Sequence, residues 1–386
     1  METTAVRRER NSSLELLKII AMLAIVFSHV AQSLLLPEAA GTLAPGEFGT
    51  LSYCIDFSTA SPDPTLWLLV CVRTLGAWGN TIFVICSSWF LCRDNTVKMN
   101  KVVYLVLNVF VISVLILLCA LAFGLHPNFK VIVRCLFPTT FANNWFITCY
   151  LLLYAIHPAI NWTTKKLGKR GHAALAIALF TLYMLLPLVH DGHFFTSELI
   201  VMISEYVVVS YARSYLPRLV DDARTSRRFF LVGSIAMILV IVLLEIAGLH
   251  VGFLKNKMLH FDKDGNPFLF LSAFGLFNLF RLRPFTSIRV NRMASLVLFV
   301  YLIHENLIVR EYLRPTVWLW IHETLGYDSL VLWLVIFSAA LFVAAFAFAF
   351  LYSLTLEKIT ARIEQPIEHA ARHICSAAVD WLCSLS

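Results

Sequence analysis

The sequence predicts an all-α, polytopic membrane protein with about ten transmembrane helices and both termini in the cytoplasm, and three observations carry that prediction. Hydrophobic residues fill 59% of the 386 positions and charged residues only 14%, where a soluble domain carries about 25% charged. Mean hydropathy is +0.77. Apolar runs long enough to cross a bilayer, about 20 residues as a helix, recur along the whole length.

The runs fall in order at 14–35, 74–92, 102–124, 144–161, 172–190, 197–212, 228–249, 266–280, 294–313 and 329–355. The first is too long for the core of a cleavable signal peptide and lacks a small-residue cleavage site after it, so it is expected to remain as a helix. The fourth opens Asn143-Asn-Trp145-Phe-Ile-Thr-Cys-Tyr150 and closes at Pro158. The run at 266–280 is short, and the last is long enough to tilt or to project beyond the membrane. Beyond it, 357–386 reads as a cytoplasmic amphipathic tail, whose IEHAARHICSAAVDWLCSL pattern suits a helix on the inner surface. Residues 1–356 then form one membrane domain, with no internal repeat, no low-complexity linker and no soluble domain.

Basic residues set the orientation. Arg7, Arg8 and Arg10 precede the first run, and further clusters follow the second (Arg93, Lys98, Lys101), fourth (Lys165, Lys166, Lys169, Arg170), sixth (Arg213, Arg218, Arg224, Arg227, Arg228) and eighth (Arg281, Arg283, Arg289, Arg292). The 36–65 loop has no Lys or Arg at all. Ten spans put every cluster and both termini on one side, which the positive-inside rule makes cytoplasmic. Lys130, Arg134, Lys255, Lys257 and Lys263 fall on the outer side but are outnumbered. The net charge of +7 is therefore a topology signal first and calls for no nucleic acid. The nine cysteines show no CxxC pair and no metal-ligand spacing. Most sit in helices as small apolar packing residues, while Cys54 and Cys135 both face outward and leave a disulfide open. His190-x-x-His193 lacks the two further ligands a zinc site needs, so no metal is expected.

One stripe of polar groups stands out. Glu15, Lys18 and His29 share the first run, and ionisable groups at membrane depth are costly and seldom kept without a purpose. Eleven residues separate Lys18 from His29, which is three helical turns and ~20°, so both lie on one face roughly 16 Å apart. Glu15 lies one turn before Lys18 on the same stripe. A boundary lysine that snorkels and a satisfied buried histidine is the plain alternative.

Other polar groups recur in recognisable settings. The second run ends Gly79-Asn-Thr-Ile-Phe-Val-Ile-Cys-Ser-Ser88-Trp-Phe-Leu and is followed by Lys98-x-x-Lys101. The ninth carries Val300-Tyr-Leu-Ile-His304-Glu305-Asn306-Leu-Ile-Val-Arg310. Taken together, these resemble the acyltransferase 3 family of integral membrane acyltransferases, and most closely the bacterial members that decorate exopolysaccharide or capsule. Lys18, ten intervening residues and His29 match the family's basic residue and histidine, and Glu15 matches its preceding acidic residue. The segment ending at Leu91 is similar to the FFxISGY run, NNWFITCYLLLY to the WFLxxYxxLY element, and VYLIHENLIVR to the ninth-helix signature. The resemblance covers about residues 10–356. It departs at Lys18, where many members have Arg with its bidentate fork, and at Ser88, where Gly is usual.

The resemblance implies transfer of an acyl group, acetyl foremost, from cytoplasmic acyl-CoA to a hydroxyl of a cell-surface or lipid-linked carbohydrate, with acyl-CoA as substrate and no resident cofactor. Such transfer needs a base for the hydroxyl proton or a nucleophile that carries the acyl group, and histidine serves either role near neutral pH. His29 is the expected catalytic group, with Lys18 lining the path of the thioester and Glu15 orienting or neutralising Lys18. Lys98, Lys101 and Arg93 are the candidates for the donor's phosphates, or else anchors of topology. His304, Glu305, Arg310, Arg73 and Trp145 are the candidates for the acceptor or a second site. For His304 and Glu305 the competing reading is a bundle hydrogen bond, for Arg73 and Arg310 snorkelling, and for Trp145 an interfacial belt. Glu205 and Glu245 lie in apolar runs with no assigned role. A transporter or export subunit for polysaccharide or a small solute also fits scattered membrane charges, though matched broken helices in two halves are not evident. A structural subunit of a polysaccharide synthesis complex is the third possibility.

Overall fold

The structure is a computed structural model and describes residues 11–34, 64–189, 197–251, 254, 261, 263–326 and 329–384. The described residues are helical, with no strand among them. α1 is Ser12–Gln32, α2 Pro64–Leu91, α3 Met99–Ala122, and α4 the short Phe129–Leu136. α5 is Trp145–Phe180, α6 Glu198–Tyr215, α7 Ala223–His250 and α8 Pro267–Arg281. α9 (Ile288–Ser295), α10 (Val297–His304) and α11 (Arg314–Leu325) follow, then α12 (Leu330–Leu354) and α13 (Leu356–Ser384).

Side-chain caps fix several starts. Asn128, Ser197, Asp222, Asn266 and Ser287 each accept from backbone N–H groups two or three residues on, which satisfies donors that a helix start leaves unpaired. Asp222 takes both Arg224 N and Thr225 N, and with the Thr225 hydroxyl these bonds hold its carboxyl below the usual carboxylate range.

Among the described residues six helices are long and apolar enough to cross a membrane, or seven if a bent pair counts as one span. All ten predicted runs carry helix, but the fourth, fifth, sixth, eighth and ninth do not each stand as an independent straight span. Trp145–Leu188 runs over 44 residues as two helical stretches joined across a kink. It takes up both the fourth and fifth runs, broken at Gly168, whose φ of 65° and ψ of −174° fall outside the helical region. The exposed basic residues Lys165, Lys166, Lys169 and Arg170 flank this break. The eighth run is only the 15 residues of α8. The ninth bends by 61° between Ile288–His304 and Val309–Leu325. α6 carries Glu198, Glu205 and Arg213 in its 18 residues, and it is not one of the six. α2 begins ten residues earlier than predicted, and α4 was not predicted at all. Residues 36–63, with Cys54, and the pair His190 and His193 lie outside the described residues.

The chain divides into two compact units. The first comprises the described residues of Met1–Ala31, Asp56–Arg93 and Asn161–Val297. Its core joins Leu14, Leu17 and Ala21 of α1 to Ile82, Ile85 and Trp89 of α2, Val209 of α6 and Phe270, Phe274 and Phe277 of α8. α1 and α2 approach closely because position 79 is glycine: a β-carbon there would lie 2.7 Å from the Ala21 carbonyl oxygen and 2.6 Å from an Ile25 side-chain carbon. Small residues let membrane helices meet in this way. The start of α1 is tied to the segment before α9, where Ser12 N donates to Phe285 O at 2.9 Å and the Ser12 hydroxyl to Asn291 Oδ1 at 2.8 Å.

The second unit comprises the described residues of Gln32–Ile55, Asp94–Ile160 and Leu298–Ser386. Here α4 folds back beside α3, with the Ser113 hydroxyl donating to Cys135 O at 2.8 Å. Cys135 is a buried free thiol. α12 is fastened to α3 by the Tyr352 hydroxyl on Asn108 Oδ1, 2.7 Å, and α13 to α3 by the Tyr104 hydroxyl on Glu357, 2.9 Å.

Reporters fused to the chain test its orientation. One placed after residue 50 is expected to read outside the cell, and those after residues 95, 167 and 386 inside. An inside location for residue 50 would reverse the orientation.

Candidate functional site

In the first unit α1 presents the polar stripe. Lys18 Nζ donates to Glu15 Oε1 at 3.2 Å, an i, i+3 pair one helical turn apart. The Glu15 side chain is 7% exposed and that of Lys18 27%, so the carboxylate is inside and the ammonium sits at its rim. Cys86 of α2 lies within electrostatic range of both. Toward the other end of α1, His29 is half-buried, and its neighbour Ser28 donates to the Arg73 carbonyl at 2.6 Å. Arg73 itself is buried. It lies within α2 rather than at its lip, because that helix begins at Pro64.

Ser88, where the family pattern has glycine, is fully buried and donates to Val84 O one turn back at 2.6 Å. The helix absorbs the extra hydroxyl within its own turn. Glu205 accepts from the Thr81 hydroxyl at 2.9 Å in a buried contact between α6 and α2, a partner 124 residues away that the sequence does not announce. Asn161 links the same helices, donating to Leu91 O at 2.9 Å and accepting from the Tyr206 hydroxyl at 2.7 Å.

Sequence reasoning missed a cationic site at the end of α2. The guanidinium groups of Arg213 and Arg281 lie 4.7 Å and 4.5 Å from the centre of the Trp89 ring, well inside cation–π range. Arg281 also donates to Val220 O and Asp221 Oδ1 at 2.6 Å and 2.7 Å. Both arginines read from the sequence as topology signals. Arg93 is exposed and follows α2.

In the second unit the basic pair Lys98 and Lys101 meets two tyrosines of α5. Lys98 sits at the N-cap of α3 in extended conformation, and its backbone N–H donates to the Tyr154 hydroxyl at 3.0 Å. Lys101 Nζ donates to the Tyr150 hydroxyl at 2.7 Å and lies 4.5 Å from the Tyr154 ring centre. Tyr154 stacks on His157 with centroids 5.3 Å apart. His157 is fully buried. Its Nδ1 lies 2.6 Å from Tyr154 O, which fixes the proton on Nδ1 and leaves Nε2 without a hydrogen-bond partner. The turn that delivers Lys98 is held by Asp94, which accepts Thr96 N at 3.0 Å and the Thr96 hydroxyl at 2.6 Å. Those bonds hold the Asp94 carboxyl below its usual range. Both lysines are exposed, so their ammonium groups remain available to an anion.

Further along the second unit, the bend after His304 places Glu305 and Asn306 outside regular helix. Asn306 caps the restart by accepting Ile308 N at 2.9 Å. His304 is fully buried, with Nδ1 2.8 Å from Val300 O. Glu305 is buried between Arg310 Nη1 at 3.3 Å and Arg314 Nη1 at 3.5 Å. Trp145 is half-buried and packs edge-on to Phe146 at 5.7 Å. Phe146 in turn faces Tyr301, 6.1 Å away.

A family model described as an acyltransferase domain, Acyl_transf_3, matches residues 11–353. The chain belongs to the acyltransferase 3 family. That match spans α1 to the end of α12 and includes every residue singled out above. No curated protein and no solved structure matches the chain. Membership in the acyltransferase 3 family, with the apolar helices, makes this a membrane acyltransferase.

The Lys98 and Lys101 pair is tested by Lys98→Ala combined with Lys101→Ala. Acyl-CoA binding measured on the purified protein should weaken, and the remaining affinity should lose much of its salt dependence. Unchanged affinity with an unchanged salt response would leave these lysines as topology anchors.

Proposed function

We propose that the protein transfers an acyl group, acetyl in the first instance, from cytoplasmic acyl-CoA to a hydroxyl of a cell-surface or lipid-linked carbohydrate at the bacterial cytoplasmic membrane. The observation that carries this reading is the buried Glu15–Lys18 pair on the same helix as His29, in a chain that matches an acyltransferase family over residues 11–353. Exposed Lys98 and Lys101, with Arg93, supply cations for the donor's phosphates, and phosphate contacts by ammonium groups are point-charge contacts that tolerate a mobile ligand.

In the reaction the sugar hydroxyl attacks the thioester carbonyl while His29 takes its proton. The carbon–sulfur bond then breaks, the acyl group stays on the sugar oxygen, and the CoA sulfur leaves with a proton returned by the imidazolium. Lys18, roughly 16 Å away along the same helix face, lines the path by which the thioester reaches His29. Glu15, at 3.2 Å, orients the Lys18 ammonium. The transporter reading draws support from the bent pair around residues 305–308, the one such pair among the described residues, but a carrier built from repeats shows two such breaks in matching positions.

Replacing His29 tests the assignment. His29→Gln keeps size and hydrogen bonding but cannot accept the proton, and should lower glycan acylation by about 10²–10⁴-fold with acyl-CoA binding retained. Lys18→Arg should retain far more activity than Lys18→Ala. Substantial O-acylation by His29→Gln at normal expression would return that residue to a packing role.

A further inference from the structure

The last helix of the second unit has three chemically distinct faces, and two of them are open. α13 begins at Leu356, with only Thr355 between it and the end of α12 at Leu354. At ~100° per residue, Glu357, Thr360, Glu364, Glu368 and Ala371 share one face about 80° wide. Each is buried or half-buried. This face turns to α3, where Glu357 accepts the Tyr104 hydroxyl at 2.9 Å and Glu364 lies within electrostatic range of the same group. The acidic side of the helix is therefore spent on protein.

Beside it, Ile359, Ile363, Ile367 and Ile374 fall within ~80° of one another and are 41–70% exposed. On α12, which is long and apolar enough to cross a membrane, Leu332, Val343 and Leu351 are 55–65% exposed. The isoleucine stripe is thus as open as the outer side of a spanning helix, whose solvent is lipid. The single-residue joint at Thr355 starts α13 where that span ends, so the stripe cannot stand far from the bilayer.

The third face lies on the other side of the isoleucines from α3. It carries Lys358, Arg362, His369 and His373 within ~60°, all exposed. Lys358 and Arg362 meet no carboxylate among the described residues, whereas Arg372, farther round, is taken by Glu368. Isoleucines bordered by cations, with the acids turned inward, suit a helix that sinks one face into a bilayer surface. Its cations then stand among anionic headgroups, which the cytoplasmic leaflet supplies.

We propose that α13 docks on the cytoplasmic leaflet through Ile359, Ile363, Ile367 and Ile374, with Lys358 and Arg362 on the headgroups of anionic phospholipids. The amphipathic pattern of the sequence leaves the inserted face open. The Glu357–Tyr104 bond decides it, because it fixes which face the protein takes.

The test places single cysteines in the full-length protein, reconstituted one copy per nanodisc. Their reaction with a membrane-impermeant maleimide is followed by peptide mass spectrometry, which separates them from native thiols. In discs containing phosphatidylglycerol, Ile363→Cys and Ile374→Cys should react at least about tenfold more slowly than Ala361→Cys and Gln365→Cys on the opposite, open side. Discs of phosphatidylcholine alone should raise the two slow rates severalfold. Lys358→Gln combined with Arg362→Gln should do the same in the anionic discs. Equal rates at all four positions overturn the docking. Slow rates that ignore both the lipid and the double variant overturn the headgroup contact. Slow rates found only in discs that hold two copies assign the stripe to a second chain and overturn the lipid surface as its partner.

Discussion

A lysine on an apolar helix is costly unless water or a counter-charge meets it, and on α1 Glu15 stands 3.2 Å from Lys18. The pair is asymmetric: the acid is sealed and the base sits at the rim. A buried ion pair of this kind seldom contributes net stability, because removing both charges from water costs about as much as their attraction returns. Its persistence on the first helix therefore asks for a use other than holding the bundle together. The packing around it points the same way, since Leu14, Leu17 and Ala21 already join α1 to the core by apolar contact, and Ser12 pins the start of the helix through backbone and side-chain bonds.

The second unit handles its charges differently. Breaking the helix after His304 releases Glu305 and Asn306 from regular backbone pairing, and the restart through a π-helical turn swings Arg310 back toward Glu305 and Asn143. A straight helix could not bring residues 305 and 310 to one carboxylate and one loop carbonyl at once, since five residues advance a helix by ~500°. Irregular backbone at membrane depth is tolerated where protein rather than lipid surrounds it, and the buried side chains from Tyr301 to Val309 meet that condition. π-helical turns of this sort are frequent at functional sites.

Much of the architecture was legible because lipid permits few alternatives: long apolar runs have to be helices, and all ten runs are. The stripe of Glu15, Lys18 and His29 followed from helical periodicity alone. What escaped was the geometry between elements. Gly168 sits among lysines and marks the break in a helix that takes up two predicted spans, yet a lone glycine in a sequence gives no angle. Phe129–Leu136 is too short for its pattern to register. Lys101 was visible, but its partner Tyr150 lies 49 positions away. Arg213 and Arg281 were read by their charge as topology markers, and their stacking on Trp89 depends on three helices meeting. His157, behind Tyr154, carried no signal beyond its presence before Pro158.

The measurement that bears most directly on the central claim compares stability with activity in a protein that lacks the α1 ion pair. Glu15→Gln together with Lys18→Met removes both charges and keeps the volume. If the pair serves chemistry, the thermal midpoint in detergent stays level or rises, as it does when buried ion pairs are replaced by matched neutral groups, while acyl transfer is lost. A large fall in the midpoint with transfer retained in the folded fraction would contradict the account and make the pair a structural brace.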